Sequence, residues 1–142
     1  MKETILAALG TVGAIIAHAF GGWSSALTTL CILMCADYVT GILVAAVFHK
    51  SPKTENGALD SNIGWRGITK KCMVLLLVFV AHRMDQAIGT TYLKDGVCIA
   101  YMVNEIVSLI ENAGLMGVPV PEILLNAIEA LKASKAKDPS AE

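Results

Sequence analysis

Six polar side chains recur at helical spacing in an otherwise apolar stretch, residues 101–112. The stretch has the sequence YMVNEIVSLIEN, and its polar residues are Tyr101, Asn104, Glu105, Ser108, Glu111 and Asn112. At about 3.6 residues per turn these positions share one face of a helix, and the opposite face is apolar. We call these six residues the polar stripe. Carboxylate, amide and hydroxyl groups in this arrangement can line a water-filled path or bond to neighbouring helices.

A second polar site lies in the middle of another apolar segment, residues 23–48. Asp37 is there, and Thr40 follows one turn later. A carboxylate within a membrane segment is costly unless it is protonated, hydrogen-bonded or in contact with water. We therefore expect Asp37 and Thr40 to be partners of the polar stripe. Gly41 is expected to allow close contact with another helix.

Two interpretations of the polar stripe stay open from the sequence. In the first, its members from Glu105 to Asn112 line a pore or meet polar groups of other helices. In the second, the stripe is a seam that fixes the helices of one protomer and lines nothing. For Tyr101 and Asn104, ordinary hydrogen bonding between helices is the favoured role.

The composition is that of a membrane protein. Of the 142 residues 55% are hydrophobic and 16% are charged, and the mean hydropathy is +0.62. Most charges fall in residues 50–71 and 132–142, so long stretches carry almost none. The net charge of -1 and the lack of a basic groove interleaved with aromatic residues argue against a nucleic-acid partner.

The sequence predicts no enzyme, no cofactor and no metal site. Its Ser and His residues lack convincing catalytic partners, and a catalytic or metal role for His82, Arg83 and Asp85 is disfavoured. The glycines of residues 64–67 follow no strand, which argues against a nucleotide loop. Four cysteines match no zinc or disulfide spacing and are expected to be small buried or lipid-facing side chains: Cys31, Cys35, Cys72 and Cys98.

Four apolar segments must position these groups, at residues 4–20, 23–48, 68–88 and 97–115. They predict an all-α integral membrane helical bundle with three to four transmembrane helices, within a transmembrane domain of residues 1–117. The first segment reaches only about 25 Å against a hydrocarbon core of about 30 Å. Whether it spans decides between three helices and four.

A short amphipathic helix is predicted near the C-terminus, from Pro121 to about Ser134. Pro119 and Pro121 stop the fourth segment and open this helix, which is too short to span and should lie on the membrane or on a partner helix. One face is apolar, with Leu124, Ala127, Ile128 and Leu131. Residues 118–142 are therefore predicted to be a cytoplasmic helix and tail.

Basic residues predict the orientation. With four spans and both termini inside, nine of the eleven Lys and Arg residues are cytoplasmic, and only Arg83 and Lys94 lie outside. Since cytoplasmic loops carry the excess of Lys and Arg, the polar loop, taken as residues 49–71, and both termini are placed in the cytoplasm.

Four stretches together resemble a known family. They are DYVTG at residues 37–41, the Lys70–Lys71 pair, NEIVSLIEN at 104–112 and GVPVP at 117–121. In this order and spacing they resemble the phage-lysis and toxin-secretion holins, which include clostridial toxin-export holins and small holins of phages of Gram-positive bacteria. The likeness runs from about Trp23 to Leu131. The first segment carries no part of it.

The resemblance implies a homo-oligomer in the bacterial host cytoplasmic membrane that permeabilises it. An endolysin or toxin would then leave the cytoplasm through the permeabilised membrane. The endolysin would be a functional partner, with no stable binding to this chain implied. Asp37, Glu105 or Glu111 would couple opening to the membrane potential. Two alternatives stay open: a small four-helix dimer like the multidrug exporters, and a regulatory membrane subunit such as an antiholin.

Overall fold

A computed structural model describes residues 1–136, and over that range the chain is all-helical, without a strand. The all-α prediction is confirmed. The five helices are α1 (Lys2–Ala19), α2 (Ser25–Ala46), α3 (Ser61–Ile88), α4 (Leu93–Leu115) and α5 (Glu122–Ala136).

The beginning of α3 differs most from the sequence prediction. The Asp60 carboxylate accepts hydrogen bonds from the backbone N–H groups of Asn62 at 2.8 Å and Ile63 at 3.2 Å. This side-chain cap satisfies N–H groups that the first turn leaves without helical partners. The helix therefore begins at Ser61, and Gly64 and Gly67, predicted as coil, lie inside it. The polar loop is shortened to residues 47–60.

The turn between α3 and α4 is fixed by a buried acid. Gly89 ends α3 in a left-handed conformation, with φ 72°. The Asp85 carboxylate, 5% exposed, accepts from the Thr90 hydroxyl at 2.5 Å and from the backbone N–H groups of Leu93 at 3.1 Å and Lys94 at 2.9 Å. Asp85 thus caps the beginning of α4 from the end of α3.

Helices α2, α3 and α4 form the body of the protein, with α4 packed against both of the others. At one end the three helices meet through a buried core made of Leu27, Leu30, Met34, Val78 and Cys98. We call this end the apolar half of the bundle. All four cysteine thiols are free; Cys98 is buried, Cys31 is partly buried, and Cys35 and Cys72 are exposed.

Helix α1 has no buried residue. The side chains of Ile5, Leu6 and Leu9 are more than half exposed. The helix meets the bundle at its C-terminal end, where the rings of Phe20 and Phe79 pack edge to face with centroids 5.7 Å apart. The body of the protein therefore leaves most of α1 uncovered.

One described helix, α2, is long and apolar enough to be a clear candidate for crossing a membrane. Helix α1 has only 18 residues and opens with Lys2 and Glu3. Helices α3 and α4 are longer, but both carry several charged residues within their length, which lowers their mean hydropathy.

Helix α5 follows Pro121, as predicted, and continues to Ala136. On its predicted apolar face Ile128 is buried, whereas Leu124 is 42% exposed. The side chain of Leu131 and the tail after residue 136 lie outside what the structure describes. Most of this helix is therefore open to a surface or a partner.

Candidate functional site

One lysine joins the three helices of the bundle. The Lys71 ammonium donates to the Asp37 carboxylate of α2 at 2.8 Å and to the Glu105 carboxylate of α4 at 2.6 Å. The three side chains are between 12% and 19% exposed. We call them the ion triad. Since a single cation neutralises one carboxylate and bonds to both, each helix is tied to the other two.

Helical periodicity explains why the triad continues the apolar core. Residues three, four or seven apart lie on the same face of a helix. On each helix the triad residue has that spacing from a core residue: Asp37 from Met34, Lys71 from Val78, and Glu105 from Cys98. On each of α2, α3 and α4, one face therefore carries both the residues of the apolar half and the triad residue.

Asn112 adds a second set of bonds between α4 and α2. Its amide nitrogen donates to the Thr40 hydroxyl at 3.0 Å, to the Asp37 carboxylate at 3.2 Å and to the Asp37 backbone oxygen at 3.3 Å. The Thr40 hydroxyl donates to the backbone oxygen of Ala36 at 2.8 Å, so its oxygen can accept from Asn112. We call the triad together with Thr40 and Asn112 the polar half of the bundle.

Gly41 lies beside Asn112 without being crowded by it. A Cβ atom added to Gly41 would lie 3.9 Å from the Asn112 amide nitrogen, an ordinary van der Waals distance. A side chain of α4 therefore lies near Gly41, with room left for one methyl group; its role as a close helix contact stays a prediction.

A cavity of about 140 Å³ opens beneath the polar loop and reaches the polar half. We call it the vestibule. Its roof includes Ser51, Lys53 and Asp60 from the polar loop, and its floor includes Asp37, Lys71, Ser108, Glu111 and Asn112. The cavity therefore connects the polar half with the polar loop. The floor holds the carboxylates of Asp37 and Glu111 and the ammonium group of Lys71.

Tyr38 holds α3 against α2 next to the vestibule. Its hydroxyl donates to the Gly64 backbone oxygen at 3.4 Å. A Cβ atom at Gly64 or Gly67 would lie 3.5 Å from the Tyr38 side chain. The two glycines therefore form a flat surface for this ring. Gly64 and Gly67, three residues apart, thus serve helix packing.

The structure brings several predicted site residues together. Asp37, Thr40, Glu105 and Asn112 form one bonded cluster, Gly41 lies beside it, and Ser108 and Glu111 line the vestibule. Asn104 is exposed next to the partly buried Glu105. Tyr101 packs against the apolar core. Their roles in a pore stay predictions.

Sequence reasoning missed Lys71. The sequence places it among the basic residues of a cytoplasmic loop and in the Lys70–Lys71 pair of the family resemblance, and neither use predicts a contact with Asp37 or Glu105. One signal pointed to a different role: two carboxylates in apolar helices need a cation, and Lys71 borders the apolar run of the third segment. Among the described residues, no group of three metal-ligating side chains is placed to hold a metal ion.

Uncharacterized proteins of several bacteria are similar to this chain along most of its length. Lmo0128 of Listeria monocytogenes is 35% identical, over 89% of this chain and 85% of its own length. A 14.9 kDa protein of Clostridium perfringens is 35% identical, over 88% and 90%. BH0965 of Halalkalibacterium halodurans is 32% identical, over 96% and 100%. No solved structure matches the chain.

A family model described as the bacteriophage holin family matches residues 14–133. The match begins within α1, before the stretch that carried the resemblance, and ends in α5. The family is not enzymatic in general, and membership implies a membrane location. The resemblance drawn from the four stretches is confirmed, and the chain belongs to the bacteriophage holin family.

Proposed function

We propose that this chain is a holin, which assembles in the bacterial cytoplasmic membrane and forms a lesion through which an endolysin or toxin leaves. The observation that carries the proposal is the ion triad. Charged groups are enclosed between helices whose outer surfaces are apolar, in a chain of the holin family. Polar groups stored in this way can face water once the helices separate or exchange partners.

The proposed membrane arrangement has three to four spans and cytoplasmic termini. It is supported by the outward surfaces of the helices, where Ile32 of α2, Leu76 of α3 and Ile99 of α4 are each more than half exposed. The charged residues Lys71 and Glu105 point inward. An apolar outside around a charged inside suits a lipid environment, whereas a soluble bundle has the opposite pattern.

In the proposed mechanism the ion triad acts as a latch. While Lys71 bonds to both Asp37 and Glu105, these three charged groups are closed within one protomer and the membrane stays tight. Opening requires that these groups find other partners, from a second protomer or from water. Since moving one charge across 100 mV is worth about 2.3 kcal/mol, a change in membrane potential can shift the balance between the two states.

A release assay tests the proposal. The full chain is expressed with a cytoplasmic endolysin that has no signal peptide, while membrane potential and culture density are followed. We expect depolarisation and abrupt lysis at a defined time. An endolysin with an inactivated catalytic residue is the control, which should show depolarisation without lysis. Depolarisation without release of active endolysin would indicate that the chain forms only a small ion-conducting pore.

A regulatory membrane subunit such as an antiholin is the second candidate. It is favoured by the closure of the triad within a single protomer, which is what a subunit that never opens would need. Recovery of a partner protein in equal amount, with neither depolarisation nor lysis, would support it. A small exporter-like dimer would instead show substrate transport by two copies.

A further inference from the structure

A second, open cleft lies at the end of the protein opposite the vestibule. It has a volume of about 480 Å³ and separates the end of α1 from the last turns of α3. Its lining consists of His18, Ala19, Gly21, Phe79, His82, Arg83 and Gln86. None of these residues belongs to the polar half, so the proposed lysis function does not account for the cleft.

Basic side chains concentrate at this cleft. Arg83 lines it together with two imidazoles, those of His18 and His82. The Arg83 guanidinium donates to the Gln86 side-chain oxygen at 2.5 Å, and with five N–H donors it has capacity for further acceptors. Lys94 lies close by, since its ammonium donates to the Phe20 backbone oxygen at 3.0 Å.

One acidic group acts on the cleft from outside its lining, since Asp85 interacts electrostatically with His82. The lining residues given above include no carboxylate. Asp85, two residues after Arg83, directs its oxygens to the Thr90 hydroxyl and to the backbone of α4. Asp95 is in the first turn of α4 and exposed, outside the lining. The cleft is therefore suited to an anion.

The cleft also has an apolar side. Ala19 and Phe79 form part of its wall. One turn closer to the middle of each helix lie Ile15 of α1 and Leu76 of α3, which are 64% and 51% exposed. Residues three apart share a face of a helix, so each helix presents an apolar surface directly below the basic groups.

The geometry points to a binding site for the phosphate group of an anionic phospholipid. The basic side chains bind the phosphate, and the acyl chains lie along the exposed apolar surfaces of α1 and α3. Basic pockets between membrane helices suit lipid head groups for this reason, and Arg and Lys side chains can keep an apolar stem in lipid while their charge reaches the head-group level. Inorganic phosphate offers the same anion without the acyl chains.

The test is lipid retention by the full chain, measured by native mass spectrometry from a neutral detergent. Phosphatidylglycerol is compared with a glycosyl-diacylglycerol of the same acyl chains, which lacks a phosphate. We expect preferential retention of phosphatidylglycerol and a loss of about fivefold in Arg83→Gln, the effect of one basic side chain near an anionic membrane surface. Arg83→Lys should retain most of the binding, and Arg66→Gln, at an exposed position near the other end of α3, should retain all of it.

Three outcomes would overturn the proposal. They are equal retention of the two lipids, an unchanged affinity in Arg83→Gln, and displacement of phosphatidylglycerol by millimolar inorganic phosphate, which would assign the cleft to a free anion. Helix content by circular dichroism shows whether each variant folds. If Arg83→Gln does not fold, the double variant His18→Gln/His82→Gln takes its place, with a loss of phosphatidylglycerol in the same direction. Since this experiment measures lipid retention, a failed lysis assay would contradict the proposed function without contradicting the lipid site.

Discussion

The apolar half and the polar half of the bundle are built from the same faces of the same three helices, yet they are held together differently. In the apolar half, side chains such as Leu30 and Val78 are fully buried and fit together by shape. In the polar half, Lys71, Asp37 and Glu105 are held by charge and hydrogen bonds beside a cavity. Close packing permits few alternative arrangements, whereas a charged group can exchange its partner for water or for another carboxylate. The polar half is therefore where the proposed latch is placed.

The largest effect is expected from Lys71→Met. It leaves the Asp37 and Glu105 carboxylates without their cation, and removing one partner of a buried ion pair costs about 3 to 5 kcal/mol. We expect a large loss of stability of the closed bundle and early ion leakage from liposomes containing the protein. Fluorescence of an enclosed dye measures the leak, and unfolding in a detergent–denaturant titration measures stability.

Lys70→Met is the matched control, since Lys70 is the exposed neighbour with the same charge. It should leave both readouts close to those of the parent. The triple variant Asp37→Asn/Lys71→Met/Glu105→Gln removes the charge imbalance and should regain most of the stability. If Lys70→Met and Lys71→Met leak equally, the proposed latch is wrong.

Leu30→Ala should have the next largest effect, on stability without early leakage. Its side chain is fully buried in the apolar half, and truncating a buried Leu costs about 2 to 5 kcal/mol. The same two measurements apply. Ile32→Ala, at a position that is 62% exposed, should change stability little. Leakage from Leu30→Ala as early as that from Lys71→Met would remove the distinction between the two halves.

Asn112→Ala should have a smaller effect. It removes the bonds from α4 to Thr40 and Asp37, and hydrogen bonds between membrane helices contribute about 0.6 kcal/mol on average. We expect a modest loss of stability and a small advance in the time of leakage. Asn126→Ala, an exposed amide on α5, is the control. A loss of stability as large as that of Lys71→Met would indicate that Asn112, and not the ion triad, keeps the bundle closed.

The smallest effect is expected from Gly41→Ala. A methyl group there meets Asn112 at an ordinary contact distance, so stability should change by less than about 1 kcal/mol. Gly41→Val is the contrasting variant, since its additional methyl groups would crowd the Asn112 amide. Equal tolerance of both substitutions, seen in the unfolding titration, would show that α2 and α4 do not approach closely at this position.

Much of the fold could be predicted from the sequence because apolar runs and breaks are local features. The breaks at Gly21, Gly89 and Pro121 mark the ends of helices closely. The early beginning of α3 depends on one side-chain cap, that of Asp60, and such a cap is easily taken for part of the loop that precedes it. Since glycine is common in turns and coil, the sequence also predicts Gly64 and Gly67 to lie in the loop, whereas both lie in α3.

The candidate site was only partly predictable for a different reason. Helical spacing grouped Glu105 and Asn112 on one face, and the cost of a carboxylate in a membrane singled out Asp37. Which cation would neutralise them depends on how three separate helices align. Lys71 carries the same charge as Lys70 and Arg66, and only the packing of α3 between Asp37 and Glu105 distinguishes it.

The ion triad also has a consequence for how the chain is made. Lys71 lies 34 residues after Asp37 and 34 residues before Glu105. Chains are synthesised at about 5 to 20 residues per second, so each partner follows the previous one by roughly 2 to 7 seconds. Asp37 is therefore made before its cation, and its carboxylate needs water or another hydrogen-bond donor until the Lys71 ammonium emerges. The α2–α3 hairpin can then become neutral as a unit, and α4 arrives last, when a bond donor for Glu105 is already in place.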